Sequence, residues 1–430
     1  MDVITPIPVK RNRLTLYIVI AMVLGIVTGY IINQFASPEF ISGFAPKIKL
    51  LATVFLRLVE MIIAPLVFAT LVVGIAKLGD LKTVGRVGAK AMLWFISASL
   101  VSLLLGLVLV NITKPGVGVN ISHVDVAGAK DLMGKTKEFS LEHFVEHVIP
   151  RSVVEAMANN AILQLVIFSV FFGVALTAIG AKGAPITNAL DSLSHVVIKM
   201  VGYIMHLAPF GVFGAMTGVI AVKGLGILKT YAYYIGSFYL GLTVLWMVLL
   251  AVGYLVLRQR LFVLMKRLYE PMAIAFNTAS SEAVFPKLVE EMENFGCNNK
   301  IVSFTLPLGY SFNLDGSMMY MTFASMFIAQ AYNITAITEH PGTQIAMLLV
   351  FMLTSKGMAG VPRASLVVVL ATGSMFGIPA EGIGLVLAID TFCDMGRSMT
   401  NVLGNALATA AVSKWEGALE TPDKLIFDTQ

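Results

Sequence analysis

The chain has 430 residues, of which 57% are hydrophobic and 13% charged, with a mean hydropathy of +0.84. A soluble globular chain carries about a quarter of its residues charged, so the composition excludes that class and implies a polytopic membrane protein with length for about eight spans of ~20 residues. The net charge of +5 calls for no nucleic-acid partner, because the basic residues lie mostly at span ends where they fix topology, and two cysteines, Cys297 and Cys393, define no disulfide framework.

Lys10, Arg11 and Arg13 precede an apolar run over residues 14–32, too long for the core of a cleaved signal and lacking a small-residue cleavage site. It is expected to be an uncleaved first span. The next loop, 33–46, carries only Glu39, whereas the loop after the second span carries Lys77, Lys82, Arg86 and Lys90, which predicts a cytoplasmic N-terminus in a cell inner (plasma) membrane. Spans are expected at 14–34, 47–77, 88–112, 160–180, 195–222 and 228–257. Between the third and fourth, His143, Glu146 and His147 match the H-x-x-E-H pattern of a zinc protease. No third ligand is evident nearby, and Glu142, Glu146 and both histidines equally describe a solvated amphipathic helix before Pro150, so no zinc site is expected. His123, His195, His206 and His340 are scattered surface or packing groups, and no Walker-type glycine loop supports ATP-driven pumping.

From Leu261 onward the apolar segments shorten. The stretch 278–286 (TASSEAVFP) interrupts one and 354–362 (TSKGMAGVP) another, and each precedes a span with an internal charge: Asp315 follows Pro286 by 29 residues and Asp390 follows Pro362 by 28. A repeated hairpin plus polar helix suits re-entrant segments whose tips expose backbone amides at mid-membrane; two proline-kinked spans are the plainer alternative. Asn313, Asp315, Gly316 and Ser317 fall inside the run 301–331, where they favour local unwinding that frees carbonyl oxygens for a hard cation, against the plainer reading of a polar kink.

Asp390, Asp394, Arg397, Asn401 and Asn405 follow at spacings of four, three, four and four within the apolar stretch 383–412, forming one stripe if that stretch is a helix. A charge near mid-membrane costs roughly 2.5–3.5 kcal/mol, so three facing lipid would cost about 7–10 kcal/mol. They must face protein, water or a ligand. An internal Asp394–Arg397 salt bridge would use only two of the five groups, and a pore lining is less consistent with broken helices in a repeated pair than alternating access is.

These segments, together with 57–65 (RLVEMIIAP), Ser280, Ser281 and 359–362 (AGVP), resemble the dicarboxylate/amino acid:cation symporter family over nearly the whole chain. The resemblance implies an all-α membrane fold of eight transmembrane helices plus two re-entrant hairpins in inverted repeats, assembled as a homotrimer. Residues 1–87 and 113–225 would form a scaffold, 88–112 and 226–416 a transport domain moving as an elevator, and 417–430 a cytoplasmic tail. It gives Arg397 the substrate's side-chain carboxylate and Asp394 an ammonium. Asn401 and the amides near Ser280 and Ser281 would hold the main-chain carboxylate, with Ser317, Ser398, Gly360, Val361 and Pro362 completing the pocket. Gly309, Asn313, Asp315, Asp390, Asn401, Asn405 and Ser99 would hold the coupling cation, Na+ or H+, with no other cofactor.

In the C4-dicarboxylate branch the position of Asp394 is typically not a carboxylate, so its presence favours glutamate or aspartate, with succinate, fumarate or malate as the alternative. Asn405 replaces an aspartate of the best-known sodium-coupled members, Leu314 a methionine and Ala98 a threonine, and Met321 stands where mammalian relatives carry a proton-binding glutamate; sodium and proton coupling both stay open. Places that hold a second arginine in many members are Ala279, Thr391 and Met395 here, while Arg363 follows Pro362 where relatives have a small residue. Arg363 is therefore a candidate to neutralise the site in its place, or to extend to the aqueous face.

Overall fold

Long uninterrupted apolar runs satisfy their backbone groups internally by becoming helical, and that accounts for most of the chain. The structure, a computed structural model, describes residues 14–78, 81–119, 149–224, 231–355, 364–387 and 389–420, and within them it is all-helical apart from one isolated bridge, Cys297 to Leu419. Helices α1 (Leu14–Phe35), α2 (Pro38–Leu78) and α3 (Leu81–Thr113) are followed by α4 (Val153–Ala158), α5 (Ile162–Ile179), α6 (Ala184–Met205), α7 (Ala208–Lys223) and α8 (Ala232–Leu257). Among the described residues five segments, Leu16–Phe35, Pro38–Ala76, Lys82–Thr113, Ile162–Met205 and Ala232–Leu257, are long and apolar enough to cross a membrane. At ~1.5 Å per residue, the 41 residues of α2 extend about 60 Å, twice a ~30 Å hydrocarbon core, so α2 either tilts strongly or projects beyond it.

The expected single span at 195–222 is two helices. Alpha-helix α6 ends at Met205 and α7 begins at Ala208 with Pro209 in its first turn, where a missing N–H costs nothing but a preceding helix cannot continue undisturbed. Helix α7 packs on both α1 and α2, while α2 also carries α5 and α6. The approach of α7 to α2 is close: a Cβ on Gly214 would lie 2.6 Å from the Ile48 carbonyl oxygen and 2.7 Å from Leu51 Cβ. Small residues permit such backbone contact where lipid offers no hydrophobic drive for association.

The rest of the chain builds around its last long helix. Helix α9 (Arg260–Thr278) ends with Ala279 in the left-handed region at φ +52°, and a 3-10 turn, Glu282–Val284, leads into α10 (Phe285–Asn294), which opens with Pro286. The helices α11 (Asn299–Phe312) and α12 (Asp315–Ala331) follow, then α13 (Thr335–Thr338), α14 (Pro341–Thr354), α15 (Ala364–Gly373), α16 (Ile383–Leu387) and α17 (Asp390–Trp415). Helix α17 packs against α3, α8, α9, α11 and α12, and α12 is buried along its whole length. The run 383–412 is therefore not one helix, because α16 ends before Asp390 and that aspartate opens α17.

Past α17 the chain is fastened at one end of this body. Glu416 pairs with Arg86 at 2.8 Å and Lys90 at 2.7 Å on α3, the Ala418 carbonyl accepts from Asn298 N, and Glu420 N donates to the Gly296 carbonyl. The Arg86 hydrogen bond, with help from Lys90, holds the Glu416 carboxyl below its ordinary range.

Candidate functional site

The polar stripe of α17 meets the broken junction of α11 and α12. Helix α11 stops at Phe312, Asn313 and Leu314 are non-helical (φ −119° and −107°), and α12 restarts at Asp315. The expected unwinding is present, and α17 takes up two of the amides at the restart of α12. Asn401 Oδ1 accepts from the amides of Gly316 at 2.9 Å and Ser317 at 3.3 Å, two of the donors a helix start leaves without an internal partner. Its Nδ2 donates to Ser317 Oγ at 3.1 Å. Contact is close enough that a Cβ on Gly316 would overlap the Arg397 carbonyl oxygen and lie 3.0 Å from that residue's C and Cα.

Two groups of side chains flank this joint. In the first, Arg397 donates through Nε to Asp394 Oδ1 at 2.5 Å and through Nη2 to the same oxygen. Its Nη1 donates to Ser365 Oγ on α15 at 2.5 Å, with Ser317 Oγ at 3.5 Å. Arg397 thus ties α12, α15 and α17 together, with only 13% of its side chain exposed and 14% of Asp394. The salt bridge weighed from spacing exists, and it leaves one arm of the guanidinium directed at two hydroxyls. Such a fork can bind a carboxylate end-on.

In the second group, Asn313 Nδ2 donates to Asn405 Oδ1 at 3.3 Å, and Ser102 on α3 donates to Asp315 Oδ1 at 3.4 Å. Asn313 and Asp315 are fully buried and Asn405 nearly so; Asn313 Oδ1 has no hydrogen-bond partner among the described residues. Ser99 donates to the Phe312 carbonyl at 3.4 Å, and the Gly309 carbonyl accepts from Asn313 N at 2.7 Å. A Cβ on Gly309 would overlap Asn405 Oδ1, and one on Gly404 would overlap Asp315 Oδ2. Oxygen-rich, anionic and tightly packed, the set has the donor chemistry for a hard cation, which takes oxygen ligands in preference to thiolate or imidazole.

Asp390 stands apart, buried at the start of α17 with Tyr320 donating to its Oδ1 at 2.7 Å. Ser398 is buried one residue after Arg397. Ser280 Oγ accepts from Ala283 N at 3.2 Å, which stabilises the turn after α9, and the Ser281 carbonyl accepts from Tyr310 OH at 2.9 Å. Those bonds belong to the turn rather than to the α17 cluster. A cavity of about 260 Å³ beside it is lined by Glu60, Glu282, Asn160 and Tyr310 among others, and includes none of the α17 stripe. Gly360, Val361, Pro362 and Arg363, and the motif at 143–147, lie outside the described residues. Among the described residues no group of three or more His, Cys, Asp and Glu is arranged for a metal.

Spacing did not single out Ser365, Ser102 or Tyr320. Each is an ordinary residue in an apolar run, and its role appears only through a partner on another helix.

A sequence model described as the sodium:dicarboxylate symporter family matches residues 14–415. The chain is 40% identical over 418 residues to a C4-dicarboxylate transport protein of Stenotrophomonas maltophilia (strain R551-3), covering 96% of this chain and 91% of that one. It is 41% identical over 416 residues to a protein of the same name from Rhizobium johnstonii, covering 95% and 90%, and 39% identical over 411 residues to one from Acinetobacter baylyi, covering 94% and 91%.

Proposed function

The chain belongs to the sodium:dicarboxylate symporter family, and from that premise we propose that it imports a C4-dicarboxylate such as succinate, fumarate or malate together with Na+, H+ or both. It is a membrane transporter, not an enzyme. The observation that carries the substrate class is the set of C4-dicarboxylate transport proteins matched at 39–41% identity over nine-tenths or more of both chains. The site supports it. Asp394, which on sequence alone argued for an ammonium and hence for glutamate or aspartate, has its Oδ1 engaged twice by Arg397, so a ligand without an ammonium does not leave that carboxylate bare.

Charge gives the reason for coupling. Asp315, Asp390 and Asp394 outnumber Arg397 in the described core, and a dicarboxylate adds two more negative charges. Moving that total through a low-dielectric path is prohibitive unless cations bind with it. The joint between α11 and α12 links the two events: a cation drawn to Asn313, Asp315 and Asn405 repositions the first turn of α12, whose Gly316 and Ser317 amides are held by Asn401 and whose Ser317 hydroxyl faces Arg397. In this reading α1, α2 and α4–α7 are the scaffold, α3 and α8–α17 the moving body, the pairs α9/α10 and α14/α15 re-entrant hairpins, and the working unit a homotrimer. The packing of α2 on α5–α7, and of α17 on α3, α8, α9, α11 and α12, supports the division.

Asp394 itself keeps an acidic amino acid as the second reading. Competition against labelled succinate uptake in proteoliposomes separates them: unlabelled fumarate and malate compete and aspartate does not. Strong competition by aspartate and none by fumarate reverses the assignment.

A further inference from the structure

Arg397 offers donors only, and a carboxylate offers acceptors only; a hydroxyl is the small neutral group that can stand between them, accepting from one and donating to the other. Ser365 stands at that place. It is buried at 4% exposure near the start of α15, and its Oγ receives Arg397 Nη1 at 2.5 Å, which leaves its own O–H to give. Asp394 takes the Nε and Nη2 side of the guanidinium, so the Nη1 arm, beside Ser365 and Ser317, is where an incoming carboxylate meets this cation.

We propose that the Ser365 hydroxyl is a specificity-determining member of the substrate subsite, donating to the same carboxylate that Arg397 recognises. The inference rests on the reading of the ligand as a dicarboxylate, though only in needing a carboxylate at Arg397. Polarised by the guanidinium, the Ser365 O–H is a stronger donor than a lone hydroxyl, because successive hydrogen bonds reinforce one another in a low-dielectric setting. The arrangement also makes α15 a direct reader of the ligand. Arg397 and Ser317 contact the carboxylate from α17 and α12, and Ser365 contacts it from the second arm of the α14/α15 pair. Binding thereby draws three helices onto one ion. Ser317 lies farther from Nη1 and already accepts from Asn401, so the larger share of the third contact falls to Ser365.

The test is Ser365→Ala in the full chain, purified and reconstituted, with the succinate dissociation constant, the exchange rate at saturating succinate and the melting temperature without succinate measured alongside wild type. A hydrogen bond to a charged group implies an affinity loss of about tenfold or more, with the saturated rate and melting temperature close to wild type. Ser317→Ala, the more distant contact, weakens succinate less. An unchanged dissociation constant overturns the proposal. So does a variant that loses melting temperature, saturated rate or folding in place of affinity, because that assigns the hydroxyl to packing. Wild type is titrated with both succinate and aspartate first: if only aspartate binds, the dicarboxylate reading fails, and Ser365→Ala is then measured with aspartate on the same criteria.

Discussion

Gly404→Ala is expected to weaken cation coupling while sparing recognition of the dicarboxylate. Gly404 faces the first residue of α12 across the α17 contact, and a Cβ there would overlap Asp315 Oδ2, 3.1 Å from its Cγ and 3.3 Å from Asn313 Nδ2. Asp315 is fully buried and its Oδ1 receives the Ser102 hydroxyl, so its carboxylate must give way toward α3 or carry the first turn of α12 with it. An added methyl in a close-packed core costs about 1–3 kcal/mol. Charged against cation binding, that becomes roughly a 5- to 150-fold rise in the half-saturating cation concentration. Arg397 is seven residues earlier, about two turns along α17, and its bonds to Asp394 and Ser365 do not pass through Gly404. The assay is succinate uptake against Na+ concentration at fixed pH, then against pH at fixed Na+. Unchanged half-saturation for both ions in a folded Gly404→Ala protein would refute the assignment of this oxygen cluster to the coupling cation.

Gly316→Ala forces a Cβ into the Arg397 backbone, which cannot rotate aside, so thermal unfolding should show a loss of about 1–3 kcal/mol; an unshifted melting temperature contradicts the close approach of α12 to α17. Asp394→Asn keeps the shape and removes the charge, and any residual aspartate binding should fall by about tenfold or more relative to succinate, as expected for a lost charged hydrogen bond; equal losses point to a structural role. The Glu416 clamp is pH-dependent with a definite sign. Because Arg86 and Lys90 lower its folded pKa, its stabilisation is present above the ordinary carboxylate range and is lost as pH falls through the lowered value. Arg86 is half exposed, so Glu416→Gln should cost at most about 1 kcal/mol at neutral pH, and its difference from wild type should vanish in acid. A difference independent of pH contradicts the ion pair.

Charged residues inside apolar runs were legible because membrane insertion makes each one expensive, and the structure brings Asp394, Arg397 and Asn401 to one joint and Asn313, Asp315 and Asn405 beside it. The break at Asn313 and Leu314 was legible from Asn, Asp and Gly in sequence, and the turn after Thr278 from its serines and Pro286. Boundaries between two apolar helices were harder. Across 200–210 only His206, which caps α6, and Pro209, in the first turn of α7, mark the change of helix; nothing polar separates α16 from Asp390. The resemblance gave Asn401 a ligand role, and its side chain also caps α12 from a different helix, a contact fixed by tertiary packing that no local pattern encodes. Asp394 reads as an ammonium partner when taken as an isolated letter, and its pairing with Arg397 through Oδ1 appears only in the folded helix.

The most direct measurement is gradient-driven accumulation of labelled succinate in proteoliposomes containing the purified protein, with wild type and Arg397→Ala compared under an inward Na+ gradient, an inward proton gradient, both and neither. Wild type should concentrate succinate above the external level only with a cation gradient, lose it when an ionophore collapses that gradient, and Arg397→Ala should accumulate none. Accumulation of succinate above the external level with no cation gradient present, or accumulation of aspartate and not succinate, would contradict the account.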